Sequence, residues 1–140
     1  MNTLVAIALS SIIAAQDPKA EDPKKAQEAF QGEWKLTTWA KLGRDFPKEK
    51  LKNSKVVVKG DAMSMTLDEQ TTDMTFTLDP KADPPALDFR SEGNKRVIRG
   101  IYKLERDKIT ICFGIEGSTR PTEFKASRDN SIMVIERVKK

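Results

Sequence analysis

From Glu33 to Val138 apolar residues recur at every second position in short runs, and turn-forming residues interrupt the runs at intervals of roughly ten, the spacing of an all-β domain. Eight candidate strands follow: Glu33–Ala40, Ser54–Lys59, Ala62–Leu67, Met74–Leu78, Ala86–Arg90, Val97–Glu105, Lys108–Phe113 and Ile132–Val138. The connections carry turn chemistry, with Gly60-Asp61, Asp68 to Asp73, Asp79 to Pro85, Glu92-Gly93-Asn94 and Arg106-Asp107 between successive strands. Short links between consecutive strands imply antiparallel hairpins in sequence order.

Side chains two apart on a strand share a face. Met63, Met65 and Leu67 fall on one face, as do Met74, Phe76 and Leu78, then Leu87 and Phe89, then Ile109, Ile111 and Phe113. Ser64, Thr66, Thr75, Thr77, Asp88, Arg90, Lys108 and Thr110 lie between them, so the opposite face is wet. A meander of about eight strands with one apolar face is satisfied by curling until that face is enclosed and the edges meet. The expected fold is an all-β, up-and-down antiparallel barrel of about eight strands, with a two-sheet sandwich as the open alternative.

The chain opens on Leu4 to Ala15 (LVAIALSSIIAA), an apolar run of about 12 residues, short of the ~20 that cross a bilayer and ending in small residues. It reads as a secretory leader over residues 1–15, cleaved after Ala15, and places the protein in the periplasm or outside the cell. Residues 16–29 read as a polar linker with a short helical turn before Phe30, and 30–140 as one domain with one core. No transmembrane attachment is expected once the leader is removed, and the reading is a monomer.

The chemistry-bearing residues are few. The chain has no histidine and one cysteine, so an internal disulfide is excluded and a His-based relay or metal site has no ligand. Cys112 alternates with Ile111 and Phe113 and reads as a half-buried strand residue. The acid pairs Asp79 and Asp83, Asp88 and Glu92, and Glu105 and Asp107 sit in or beside turns with no nucleophile or base nearby, so neither catalysis nor a cofactor or metal is expected. The net charge of +4 is spread among interleaved acids and bases, and the basic stretch Lys48 to Lys55 lacks stacking aromatics; no nucleic-acid partner is implied.

Four segments in order carry a resemblance: QGEWKL (Gln31 to Leu36), GIYKLERDKITICFG (Gly100 to Gly114), STRPTEF (Ser118 to Phe124) and IMVIERVKK (Ile132 to Lys140). Together they resemble the uncharacterised family of exported lipocalin-like domains abundant in Planctomycetes, over roughly Phe30 to Lys140. The resemblance implies a calycin-type barrel with no established ligand or activity. In lipocalins a tryptophan after the first glycine closes one end of the barrel under an arginine from the last strand, so Gly32, Trp34 and Arg137 take structural roles here. Gly100-Ile101-Tyr102 reads as a strand bend and Arg120-Pro121 as a loop clamp.

Two functions of different class remain open at this point. One is a carrier of a small apolar ligand, with Met63, Met65, Met74, Phe76, Leu87, Phe89, Ile111 and Phe113 lining an interior space of at least ~300 Å³. The other is a barrel filled by those same side chains, acting as a protein–protein interaction module of the cell envelope.

Overall fold

The computed structural model describes residues 22–91, 97–115 and 117–138. The leader, the first part of the linker and the Glu92-Gly93-Asn94 turn lie outside the described residues.

The described chain runs α1 (Pro23–Phe30), β1 (Gly32–Lys41), β2 (Arg44–Asp45), α2 (Lys48–Leu51), β3 (Lys55–Lys59), β4 (Ala62–Leu67), β5 (Gln70–Asp79), β6 (Ala86–Ser91), β7 (Val97–Glu105), β8 (Lys108–Phe113) and β9 (Ser131–Arg137). Every strand pairing is antiparallel, in the order β2-β1-β3-β4-β5-β6-β7-β8-β9, and β9 returns to β1 to close the sheet. The closed barrel has eight strands, with β2 as a short appendage on β1. Closure leaves the inward face as the core, where Phe30, Trp34, Leu36, Val56, Met63, Phe76, Tyr102, Ile109, Ile111 and Ile135 form one apolar cluster.

The structure departs from the sequence reading, or adds to it, at several places, each for a physical reason. The segment before Phe30 forms an eight-residue helix rather than a single turn. Asp22 caps it, accepting from Lys25 N at 2.9 Å, and Pro23 occupies the first turn, where its missing N–H costs nothing. Its buried face, Ala26 and Phe30, lies on the barrel. Second, β5 begins at Gln70, not Met74, and pairs Thr71, Thr72 and Asp73 with Thr66, Met65 and Ser64. The turn is only Asp68 and Glu69, both at positive φ (54° and 67°).

Third, β1 does not keep one phase. A bulge between Leu36 and Thr38 inserts Thr37 without a partner on β9, so Trp34 and Leu36 face inward before it and Trp39, opposite Met133, packs against the core after it. At the bulge β3 also leaves β1, having paired only with Gly32 to Trp34. Ser54 takes over the vacated ladder: its Oγ accepts from Leu36 N at 2.9 Å and donates to Leu51 O at 2.6 Å. α2 fills the gap, burying Leu51.

The outer face is not uniformly wet. Ala86, Ile101, Cys112 and Ile132 point outward in a row, each opposite the next across β6, β7, β8 and β9. Residues 117–130 of the long connection to β9 fold back over this row as a strap, and Ile101 and Cys112 are fully buried.

Candidate functional site

One end of the barrel is closed by a set of contacts converging on Trp34. The indole donates from Nε1 to Phe30 O at 2.8 Å. Arg137, inward on β9 and directly opposite Trp34, lays its guanidinium 4.2 Å from the ring centroid. It also donates from Nη1 to Gln31 O at 2.8 Å and from Nη2 to Ala29 O at 3.1 Å, so a cation sits on the carbonyl end of α1. Asp107 holds its Nε at 3.3 Å. Gly32, at φ +118°, passes so close that a Cβ there would be 2.9 Å from Arg137 Nη1. Of the three residues to which the resemblance gives structural roles, Arg137 thus lies against both Gly32 and Trp34.

The eight interior residues are also brought together. Met63, Met65, Phe76, Leu87, Phe89 and Ile111 belong to the core cluster, and Met74 and Phe113 pack against it nearer the open end, half-buried. A void large enough for water would leave exposed area on the side chains around it. Met63, Ile109 and Ile111 expose none, while Phe76, Phe89 and Met65 expose 2, 3 and 8%. Side chains therefore occupy the middle of the barrel, with Phe30 stacked on Phe76 at 5.6 Å and edge-on to Tyr102 at 5.3 Å. Clefts of about 470 and 400 Å³ open on the surface, the first beside Ser118 to Thr122 and Asn130, the second beside Lys35 to Thr37 and α2, and none of the eight lines either.

One acid of each pair is engaged locally. Asp79 Oδ1 accepts from Lys81 N, Asp88 pairs with Arg120 and Asp107 with Arg137. Glu92 lies outside the described residues. Among the described residues no three acids or cysteines gather where a metal ion would be held. Burial, and then the charge of Asp79, push the Tyr102 hydroxyl up to about 12, so it stays protonated and does not serve as a base at neutral pH.

The strap is pinned by Arg120, whose Nη1 donates to Asp88 Oδ1 at 2.7 Å, Gly100 O at 3.0 Å and Leu87 O at 3.3 Å. Pro121 beside it is buried. Gly100 lies within a continuous strand rather than at a bend, and its lack of a side chain serves close approach: a Cβ would be 2.7 Å from Cys112 O. Cys112, expected half-buried, is fully covered; its Sγ contacts Lys125 O at 3.8 Å and burial raises its pKa. A thiol reagent is accordingly expected to react slowly with the native protein and rapidly in denaturant. In Arg120→Ala the native rate should rise by about 5- to 30-fold, the factor for 1 to 2 kcal/mol lost from strap closure, while the barrel stays folded. An unchanged rate measured by Ellman's reagent would show that Arg120 does not hold the strap.

At the open end the bulge-shifted phase makes a feature the alternation did not reveal. Trp39 and Phe46, half-buried, stack at 4.7 Å with ring planes 15° apart. Phe46 N donates to Trp39 O at 2.8 Å. Trp39 Nε1 is buried without a hydrogen-bond partner, the one such side-chain atom among the described residues. The signal in the sequence was the odd, five-residue spacing of Trp34 and Trp39, which one uninterrupted strand phase cannot place on the same face.

No family model, curated protein or solved structure matches the chain.

Proposed function

We propose that the chain is an exported, non-catalytic lipocalin-like barrel, of the kind the resemblance implies, that works through its surface as an interaction module of the cell envelope. The observation that carries this reading is the packing of the barrel interior. Met63, Phe76, Phe89 and Ile111, at the level where a carrier would hold its ligand, expose 3% or less, which supports an interior filled by side chains. The leader-like Leu4 to Ala15 supports export, and the absence of histidine from the sequence supports a role without acid–base chemistry.

Titration with N-phenyl-1-naphthylamine, a small apolar fluorophore, tests the reading. No saturable binding to the folded protein is expected, and Ile111→Trp should destabilise by about 1 to 3 kcal/mol because the added rings have no room. Saturable binding that Ile111→Trp abolishes without loss of stability would establish the carrier instead.

A further inference from the structure

We infer that β2 is an internal stand-in for a partner strand, and that the edge of β1 at Trp39 to Lys41 is a docking site for an extended peptide bearing an acidic residue and, two positions later, an aromatic one. This rests on the interaction-module reading and names the partner's chemistry.

The edge is thinly covered. β9 runs along one side of β1, but on the other side β3 reaches only Gly32 to Trp34 and β2 pairs only Ala40 with Asp45 and Lys41 with Arg44. Phe46 continues this register opposite Trp39, its N–H bonded to Trp39 O. Backbone bonds to a strand edge plus alternate side chains on one face are how a peptide is recognised by strand addition. β2 and Phe46 reproduce that arrangement within the chain.

The internal strand fits poorly in two respects. Lys41 lies directly opposite Arg44, and like charges facing each other across an antiparallel pair repel. Lys41 Nζ instead turns over the Trp39 ring, 5.7 Å from its centroid. Beneath it, Trp39 Nε1 is desolvated with no acceptor. A peptide with an acid in the place of Arg44 turns the repulsion into attraction, keeps the stack with an aromatic in the place of Phe46, and brings a new acceptor to the indole N–H. Residues after the aromatic would run antiparallel to β1 towards the 400 Å³ groove beside Thr37, whose lining carries Lys35, Lys48 and Lys52 against the single acid Glu49 and so favours further acids on balance.

The internal strand is also hung to swing. Its two-residue turn, Leu42 and Gly43, lies at φ 47° and 85°, and leucine there is strained. Leu42 N is held by Ser131 Oγ at 3.2 Å, so the turn stays anchored and the chain beyond it pivots at Gly43.

The test uses the full mature chain, ¹⁵N-labelled, with the synthetic probe acetyl-Thr-Glu-Val-Phe-Glu-Thr-amide. Binding should move the Trp39 indole N–H resonance downfield and shift the Ala40 and Lys41 amides. Phe46→Ala, which weakens the internal cover, should bind at least about tenfold tighter. Arg44→Glu, an exposed substitution that gives the internal strand its missing acid, should bind at least about fivefold weaker. Retained dispersion of the β1 and β9 amides shows that each variant is folded. The inference is overturned if the Trp39 indole does not respond in either the wild type or Phe46→Ala, if Arg44→Glu binds as tightly as the wild type, or if a probe with Lys for both Glu residues binds equally well. Failure of the peptide while the naphthylamine is still excluded removes strand addition alone; entry of the naphthylamine removes the packed-module reading beneath it.

Discussion

Trp34→Ala is expected to destabilise the barrel by about 3 to 5 kcal/mol, the cost of truncating a fully buried large aromatic. The loss has more than one origin. The indole fills the closed end, satisfies Phe30 O and offers its face to Arg137, so its removal leaves a cavity, an orphaned carbonyl and a guanidinium over empty space. Arg137→Ala should cost less, about 1 to 3 kcal/mol, because a cation–π contact contributes roughly 0.5 to 2 kcal/mol and the ion pair with Asp107 is largely solvated. The two effects should not add: once Trp34 is gone, part of what Arg137 contributes has gone with it, and a coupling of about 0.5 to 3 kcal/mol is expected. Urea denaturation of both single variants and the double variant measures this directly. Strict additivity would mean that Arg137 acts only on the α1 carbonyls and not through the ring.

How much of this was legible in the sequence depends on how strictly each strand keeps its phase. β4, β7 and β8 lie within the bounds that alternation and turn residues assign them, because apolar and polar positions alternate between core and solvent along most of their length. The start of β5 was hidden because Gln70 to Asp73 are exposed, so no apolar signal marks them. Cross-strand polar pairs hold that stretch instead: Ser64 Oγ to Asp73 at 2.6 Å and Thr66 with Thr71 at 2.9 Å. An uninterrupted phase through β1 would put Trp39 on the wet side with Glu33 and Lys35; the bulge at Thr37 reverses that, so the open-end feature comes into view only in three dimensions. The outer row was half legible. Ile101, Cys112 and Ile132 stand at outward positions on consecutive strands, a row of apolar residues that solvent would not favour, and it marks where the strap must lie.

The segment before the barrel supplies the other large expected effect. By composition it resembles a linker, yet Phe30 at its end is completely buried, with Phe76 and Tyr102 on its ring and its carbonyl on Trp34. Gln31 fastens the same point to the β3–β4 turn: its Nε2 donates to Gly60 O at 2.9 Å and its Oε1 accepts from Gly60 N at 2.7 Å. The end of α1 is therefore part of the core. Phe30→Ala should cost about 3 to 5 kcal/mol, comparable to Trp34→Ala, since the cavity would open beneath the only helix seated on this end among the described residues. A substitution on the exposed face of the same helix, Glu28→Ala, should change stability by less than about 0.5 kcal/mol. Thermal unfolding of the pair separates the two views of this segment. A solvated linker would leave both variants at the wild-type midpoint, whereas a seated helix should lower the midpoint of Phe30→Ala alone, by roughly 10 °C or more for a domain of this size.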